Sequence, residues 1–325
     1  MPETISELKL RPATLDDAAL VADLDSLREP EEPRDPVLLR HWWRMTDQME
    51  KGMRKVALRD GAAIAYVSAT HELWDREENR YGTVRVSLHP DTWSDSLYAA
   101  LVEIAEEWLR GEGAATAVAR VREDFKLEAA ALERLGYRED RRMRMSELDL
   151  LKHRDEILAA RDECRRQMRD VGVKLLVLAE DSDPEKYRKL YATVIESEKD
   201  IPTTVPWRVL TFAEWMRFWF ENPGVREENF WIAREGDAIV GCSVLDCPVV
   251  RGVPWTIFTG TSRAVRGRGI ARALKYESMG QAIEAGFERV RTNNDADNPP
   301  ILRINEQMGY RLVSPLIELH RGLGA

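Results

Sequence analysis

The chain has 325 residues, a formal net charge of −9 and a pI near 5.3, with 44% hydrophobic and 32% charged residues. That length suits about two domains with ordinary cores, and an acidic chain without a basic tail argues against a nucleic-acid partner. No stretch nears the roughly 18 unbroken apolar residues of a membrane helix, the opening residues lack the basic and apolar regions of a leader peptide, so none is expected, and Cys164, Cys242 and Cys247 form neither a disulfide framework nor a zinc pattern; a cytoplasmic protein without metal or membrane partner is expected.

In chain order, a strand over 8–11 leads to helices over 16–27 and 36–49, then strands over 54–58, 63–70 and 81–88. A helix over 94–110 stops at Gly111 and Gly113. A strand over 115–121, a helix over 126–135 and a strand over 142–148 follow. The charged stretch 152–170 reads as a helical connector ended by Gly172. Beyond it come a strand over 173–178, helices over 184–198 and 212–220, and strands over 230–234, 239–249 and 255–262. A helix to Ala285, a strand over 289–292, a short helix over 301–307 and a strand over 316–320 complete the chain.

Two landmarks recur at nearly one spacing. Arg59-Asp60-Gly61-Ala62-Ala63-Ile64-Ala65 echoes Arg234-Glu235-Gly236-Asp237-Ala238-Ile239-Val240 with an offset of 175, and Leu135-Gly136-Tyr137 echoes Met308-Gly309-Tyr310 with an offset of 173. The first pair reads as hairpin turns. The spacing predicts one fold used twice, with domains over 1–150 and 173–325 and a connector over 151–172.

Between the strand over 255–262 and the next helix lies Arg266-Gly267-Arg268-Gly269-Ile270-Ala271. A glycine-rich turn opening a helix presents backbone N–H groups in one direction beside the positive end of the helix dipole, which suits phosphate. Gly269 lets the backbone approach a ligand, and Ala271 keeps that approach open. Arg263, Arg266, Arg268, Arg272 and Lys275 add positive charge with no acid between them. A Walker loop would end in Gly-Lys-Ser/Thr where Ile270-Ala271 stands, and a Rossmann fingerprint would need a third glycine and an acidic residue ending a second strand. In the first copy, Trp93, Ser96 and Tyr98 stand opposite Arg266, Gly269 and Ala271, and Asp95 opposite Arg268. That copy is expected to have lost the phosphate-type site and to shape the substrate pocket or stabilise the other half.

Arg266, Gly269 and Ala271 match the Arg/Gln-x-x-Gly-x-Gly/Ala signature of the GNAT superfamily of acyl-CoA N-acyltransferases, which the run closely resembles. The second signature, a strand ending near an Asn and a helix closing in Leu-Gly-Phe/Tyr, is matched by 291–298 and by Ile304 to Tyr310. The resemblance implies an α/β (α+β) architecture of two tandem GNAT-like domains, each a mixed, mostly antiparallel sheet flanked by helices. It implies acetyl transfer from acetyl-CoA to a primary amine, with the C-terminal copy as the active one and a small-molecule amine as the favoured acceptor. Alternatives are a non-catalytic acyl-CoA sensor and a protein or peptide N-acetyltransferase; a homodimer is compatible with either. The backbone of Arg266, Gly267, Arg268, Gly269, Ile270 and Ala271 would hold pyrophosphate. Phe258, Thr259, Gly260 and Thr261 would pair with the pantetheine arm and polarise the thioester carbonyl, while Asn293, Asn298 and Asn305 would supply amides to CoA.

The catalytic groups depart from the family pattern. The strand before the glycine loop carries no Glu. Asp246 on the preceding strand is the nearest acid, ending an apolar face of Val240, Cys242 and Val244, so partial burial would raise its pKa toward that of a general base. Glu196, Glu198 and Asp200 are further candidates. Asn305 stands where the family's acid Tyr is expected; a thiol of pKa about 8.5 can leave as thiolate without one. Phe212, Trp215 and Trp219 form a helical stripe that reads as core, and Ile201-Pro202-Thr203-Thr204-Val205-Pro206-Trp207 reads as a pocket-walling loop.

Overall fold

In the computed structural model, which describes residues 8–72, 80–202 and 209–324, the first copy opens with β1 (Arg11–Pro12), α1 (Ala18–Arg28) and α2 (Pro36–Met49). Asp35 caps α2 by accepting from the amides of Val37 and Leu38, and Pro36 supplies a pre-set first turn. Then follow β2 (Glu50–Arg59), β3 (Ala62–Glu72), β4 (Tyr81–Leu88), α3 (Asp95–Glu112), β5 (Thr116–Arg122), α4 (Lys126–Arg134) and β6 (Arg138–Asp149). β2 and β3 are joined at the Asp60-Gly61 turn, where both residues have positive φ.

The second copy contains α5 (Arg154–Asp170), β7 (Val173–Val177), α6 (Lys186–Glu198), α7 (Phe212–Phe220), β8 (Phe230–Glu235), β9 (Ala238–Asp246), β10 (Trp255–Thr261), α8 (Ile270–Glu284), β11 (Arg289–Asp295), α9 (Pro299–Met308), β12 (Arg311–Leu312) and β13 (Leu316–Gly322). Two expectations need correction. The first strand is only two residues long, and β9 stops at Asp246 instead of continuing to Val249. Among the described residues, no helix is long and apolar enough to cross a membrane.

The compact units interleave along the chain instead of following boundaries at 150 and 173. One holds residues up to 143 together with 249–252 and 314–325; the other holds 144–248 and 253–313. The strand order in the first is β1-β2-β3-β4-β5-β13-β6, with β13 pairing antiparallel to β5 along Leu316–Gly322. The order in the second is β6-β11-β10-β9-β8-β7. Strand β6 serves the first unit as far as Met143 and the second from Arg144. Sequence periodicity specifies that a segment is a strand, but not which edge completes its hydrogen bonds.

Helices cover both faces of each sheet, and strand alternation decides which residues meet them. In the first unit, Ala65 and Val67 pack with Leu97, Leu101 and Leu132 of α3 and α4, while Tyr66 between them packs with Val21, Leu24 and Trp43 of α1 and α2. In the second, Cys242 and Val244 face Val194, Trp215 and Trp219 of α6 and α7, and Val240 and Leu245 face Ile157 and Leu274 of α5 and α8. Side chains as enclosed as Trp215, at 0% exposure, contribute roughly 2–3 kcal/mol each. The expected aromatic core stripe is therefore present, with Trp215 and Trp219 buried and Phe212 packed at its margin. Residues 203–208 of the proline loop lie outside the described residues.

Candidate active site

Strand β10 is the hinge of the site. It pairs parallel with β11 at Trp255↔Arg291 and Thr256↔Thr292 only, whereas its pairing with β9 continues to Thr261. The register slips between Thr256 and Phe258, leaving Ile257 as the extra residue of a β-bulge. Beyond it, the β11-facing edge of β10 opens onto a cavity of about 890 Å³. Phe258, Thr259, Gly260 and Thr261 form one wall. Opposite stand Asn298 and the face of α9 made by Ile301, Ile304 and Gln307, and residues Val265–Arg272 close the end.

The β10–α8 loop is pinned at both ends by buried Val265 and Ile270. Between them, Gly267 (φ 78°) and Gly269 (φ 81°) occupy the left-handed region that side chains disfavour. The amides from Gly267 to Ala271 take no backbone acceptor among the described residues. They stand at the N-terminus of a 15-residue helix, as an anion-binding loop requires. At Gly260, a Cβ would come within 2.8 Å of both the Phe258 ring and Ser197 Cβ, so glycine is required where α6 crosses the strand.

The arginines do not present the bare positive run that the sequence suggests. Asp200, beyond α6, pairs with Arg263 (Nε–Oδ2 2.9 Å) and Arg266 (Nη2–Oδ2 2.6 Å), and Glu235 pairs with Arg268 at 2.7 Å. Hydrogen bonds from Arg263 and then Arg266 hold the Asp200 carboxyl well below the usual carboxylate range. Asp200 is thus locked as an anion and ill-suited to act as a base. It competes with any phosphate for Arg266. Asp200→Asn should therefore tighten CoA binding about threefold at low ionic strength, with the gain fading by about 0.5 M salt. Titration calorimetry at both salts tests this; unchanged or weaker affinity in both refutes the competition.

The cavity gathers Phe258, Thr259, Gly260, Thr261, the 266–271 loop and Asn298. It does not gather three other candidates. Asn293 is exposed on β11 and is not among the lining residues. Asn305 is 2% exposed and donates through Nδ2 to Asn294 Oδ1 at 2.7 Å, fastening α9 to β11 instead of facing the cavity. Asp246 is 8% exposed and lies opposite Trp255, at the closed end of the parted strands. The α9 face is an addition from the structure, although Ile301, Ile304 and Gln307 recur every three residues and mark it in the sequence.

Glu198, the last residue of α6, differs from the other acids. It is part-buried, and no hydrogen bond or ion pair engages its carboxyl among the described residues. Desolvation pushes its carboxyl up to about 7. Its neighbour Ser197 lines the cavity, and Ser197 Oγ lies 3.2 Å from the Thr261 carbonyl. Burial, and then the Glu198 charge, raise the Cys242 thiol; Cys242 lies opposite Gly260 in the β9–β10 ladder. Glu198 itself is not among the lining residues of this empty cleft.

The corresponding region of the first copy is built differently. Ser94 caps α3 by accepting from the Leu97 amide, and the Trp93 and Tyr98 rings pack 5.1 Å apart over that turn. Ser87, 173 residues before Gly260, donates to Asp25 at 2.8 Å. Arg85 pairs with Asp25, and Arg28 pairs with Glu128 of α4 while lying 5.2 Å from the Phe125 ring. Ion pairs and packed rings thus engage the side chains at the positions that line the cavity beside β10 in the second copy.

A model of the acetyltransferase (GNAT) family matches residues 18–137 and again 187–310. No curated protein matches the sequence. Among solved structures, a GCN5-related N-acetyltransferase from Sphaerobacter thermophilus superposes with a TM-score of 0.69 at 20% identity, covering 99% of this chain and 98% of that one. A tandem GNAT protein from the clavulanic acid biosynthesis pathway gives 0.73 at 17% identity, covering 98% and 99%. A GCN5-related glucosamine N-acetyltransferase region of a fungal multi-domain β-N-acetylglucosaminidase gives 0.67 at 14% identity, covering 97% of this chain and 38% of that one. At these identities the likeness is one of fold, while the two matched regions span most of the sequence: the chain belongs to the acetyltransferase (GNAT) family, as an acyltransferase that carries the fold twice.

Proposed function

We propose that the second copy transfers an acetyl group from acetyl-CoA to the primary amine of a small molecule, with Glu198 receiving the amine's proton. The parted strands beside a helix N-terminus with unused amides carry this reading, because pantetheine can add to the open edge of β10 while pyrophosphate meets the 267–271 amides. The amine nitrogen attacks the thioester carbonyl carbon. The resulting oxyanion is met by an amide at the Ile257 bulge, and the C–S bond breaks as the CoA thiolate leaves. An alkylamine of pKa near 10 is only about one part in a thousand neutral at pH 7, a burden of roughly 4 kcal/mol. A carboxylate of pKa about 7 is suited to removing that proton. Ile201, Pro202 and Phe258 give the cleft an apolar wall, favouring a compact organic acceptor.

Release of CoA thiol from acetyl-CoA is expected with at least one member of a panel of amines, aminoglycosides, amino acids and peptides. Titration calorimetry should give one CoA per chain. Two equivalent sites, or turnover confined to peptides, would defeat the proposal.

A further inference from the structure

We propose that Asp35, in the first copy, is a positioning residue for acetyl transfer, because it anchors the β9–β10 connection that carries the bulged strand. This inference rests on the acetyltransfer reading above. Residues 249–252 leave the end of β9 and belong to the first unit. There Asp35 Oδ2 accepts from three successive amides, those of Val249 (2.7 Å), Val250 (2.6 Å) and Arg251 (3.2 Å). Its Oδ1 accepts from Val37 (2.8 Å) and Leu38 (3.1 Å) at the start of α2. One carboxylate, 4% exposed, therefore meets five N–H donors. Burial works against its ionisation, but the hydrogen bonds outweigh it, led by that from Val250, and the carboxyl is held below its ordinary range. Arg251 adds a bond from Nε to the Arg34 carbonyl at 2.9 Å and an ion pair to Asp23.

The chain runs directly from this anchor into the site. Three residues after Arg251, the Pro254 carbonyl accepts from the Arg291 amide at 2.9 Å and starts the short β10–β11 pairing. Three residues further on, Ile257 forms the bulge. Among the described residues, β10 has no β11 partner beyond Thr256, so its placement depends on β9 and on where the connection is tied. An oxyanion donor displaced by about 1 Å can cost on the order of 10²-fold in rate. Only an anion suits the anchor: an Asn amide would turn two donors toward backbone N–H groups, and a Ser hydroxyl could cap α2 but not reach both sets.

Asp35→Ser and Asp35→Ala separate the two roles. Serine retains the α2 cap and loses the grip on 249–251; alanine loses both. Both variants should lower kcat at least tenfold while acetyl-CoA affinity by calorimetry falls much less, because the 267–271 amides that would meet pyrophosphate lie beyond the loosened segment. Both should speed amide exchange across 246–260, and only alanine should also speed exchange at the start of α2. Unchanged kcat in folded Asp35→Ser, a loss that follows CoA affinity, or unchanged exchange across 246–260 would each overturn the inference. A wild-type chain that turns over no amine would defeat the acetyltransfer reading instead, and exchange in Asp35→Ser would still decide the anchor.

Discussion

Glu198→Gln should lower kcat at pH 7 by on the order of 10²-fold or more, with acetyl-CoA affinity almost unchanged. The wild-type rate should rise with pH through an inflection near 7, where desolvation places this carboxyl. The variant should lose that inflection and gain rate steadily with pH as more of the amine becomes neutral unaided, so the deficit narrows in alkali. Instability does not provide the same outcome. The folded-state pKa of Glu198 lies above its unfolded value, so its stabilising contribution is complete below the unfolded pKa and is lost as pH rises through about 7. At pH 8 the carboxylate is a cost to the folded chain, and glutamine should leave stability equal or higher. Asp246→Asn is the internal comparison. A variant of Glu198 with near-full activity at pH 7 and an unaltered pH profile would rule Glu198 out, and a matching loss in Asp246→Asn would move the role to that residue.

Lys275→Met should stabilise the chain by about 4 kcal/mol at pH 7, and by only about 2 kcal/mol at pH 9. Lys275 lies on α8 at 1% exposure, its Nζ 4.9 Å from the centre of the Tyr310 ring, with no hydrogen bond or ion pair among the described residues. Burial alone lowers its pKa from the ordinary lysine value of 10.5 to about 7. Between those values the unfolded chain binds a proton that the folded chain does not, so stability rises with pH across that window. Below pH 7 the folded lysine is charged too, and the penalty is at its full size. Methionine fills similar volume without a charge. Urea unfolding at pH 7 and pH 9 measures both numbers; an equal gain at the two pH values would show that Lys275 carries no charge-burial penalty.

The glycine loop and its neighbours were legible in the sequence because they depend on local chemistry. Gly267 and Gly269 mark left-handed backbone, and an apolar residue at each end of the turn pins it. Helices such as α2 and α7 were bounded correctly because caps and 3.6-residue periodicity act within one turn. Asn305 was misplaced for the opposite reason. Its spacing from Gly309 identifies its turn of helix, but whether that turn faces the cavity or β11 depends on a partner, Asn294, supplied by another element. Likewise, the basic run from Arg263 to Lys275 looked uncompensated because Asp200 and Glu235 are distant in sequence.

By itself, then, the sequence determined the element order, the duplication, the glycine-rich turn and the absence of its glycines from the first copy, all properties of hydrophobic periodicity and turn chemistry over short stretches. Tertiary structure alone decided that β13 completes the first sheet, that 249–252 rests on Asp35, and that the Glu198 carboxyl has no partner among the described residues whereas Asp200 is paired. Those outcomes depend on strand pairing, desolvation and ion pairing between groups far apart in the chain, and such energies exist only once folding brings the partners together.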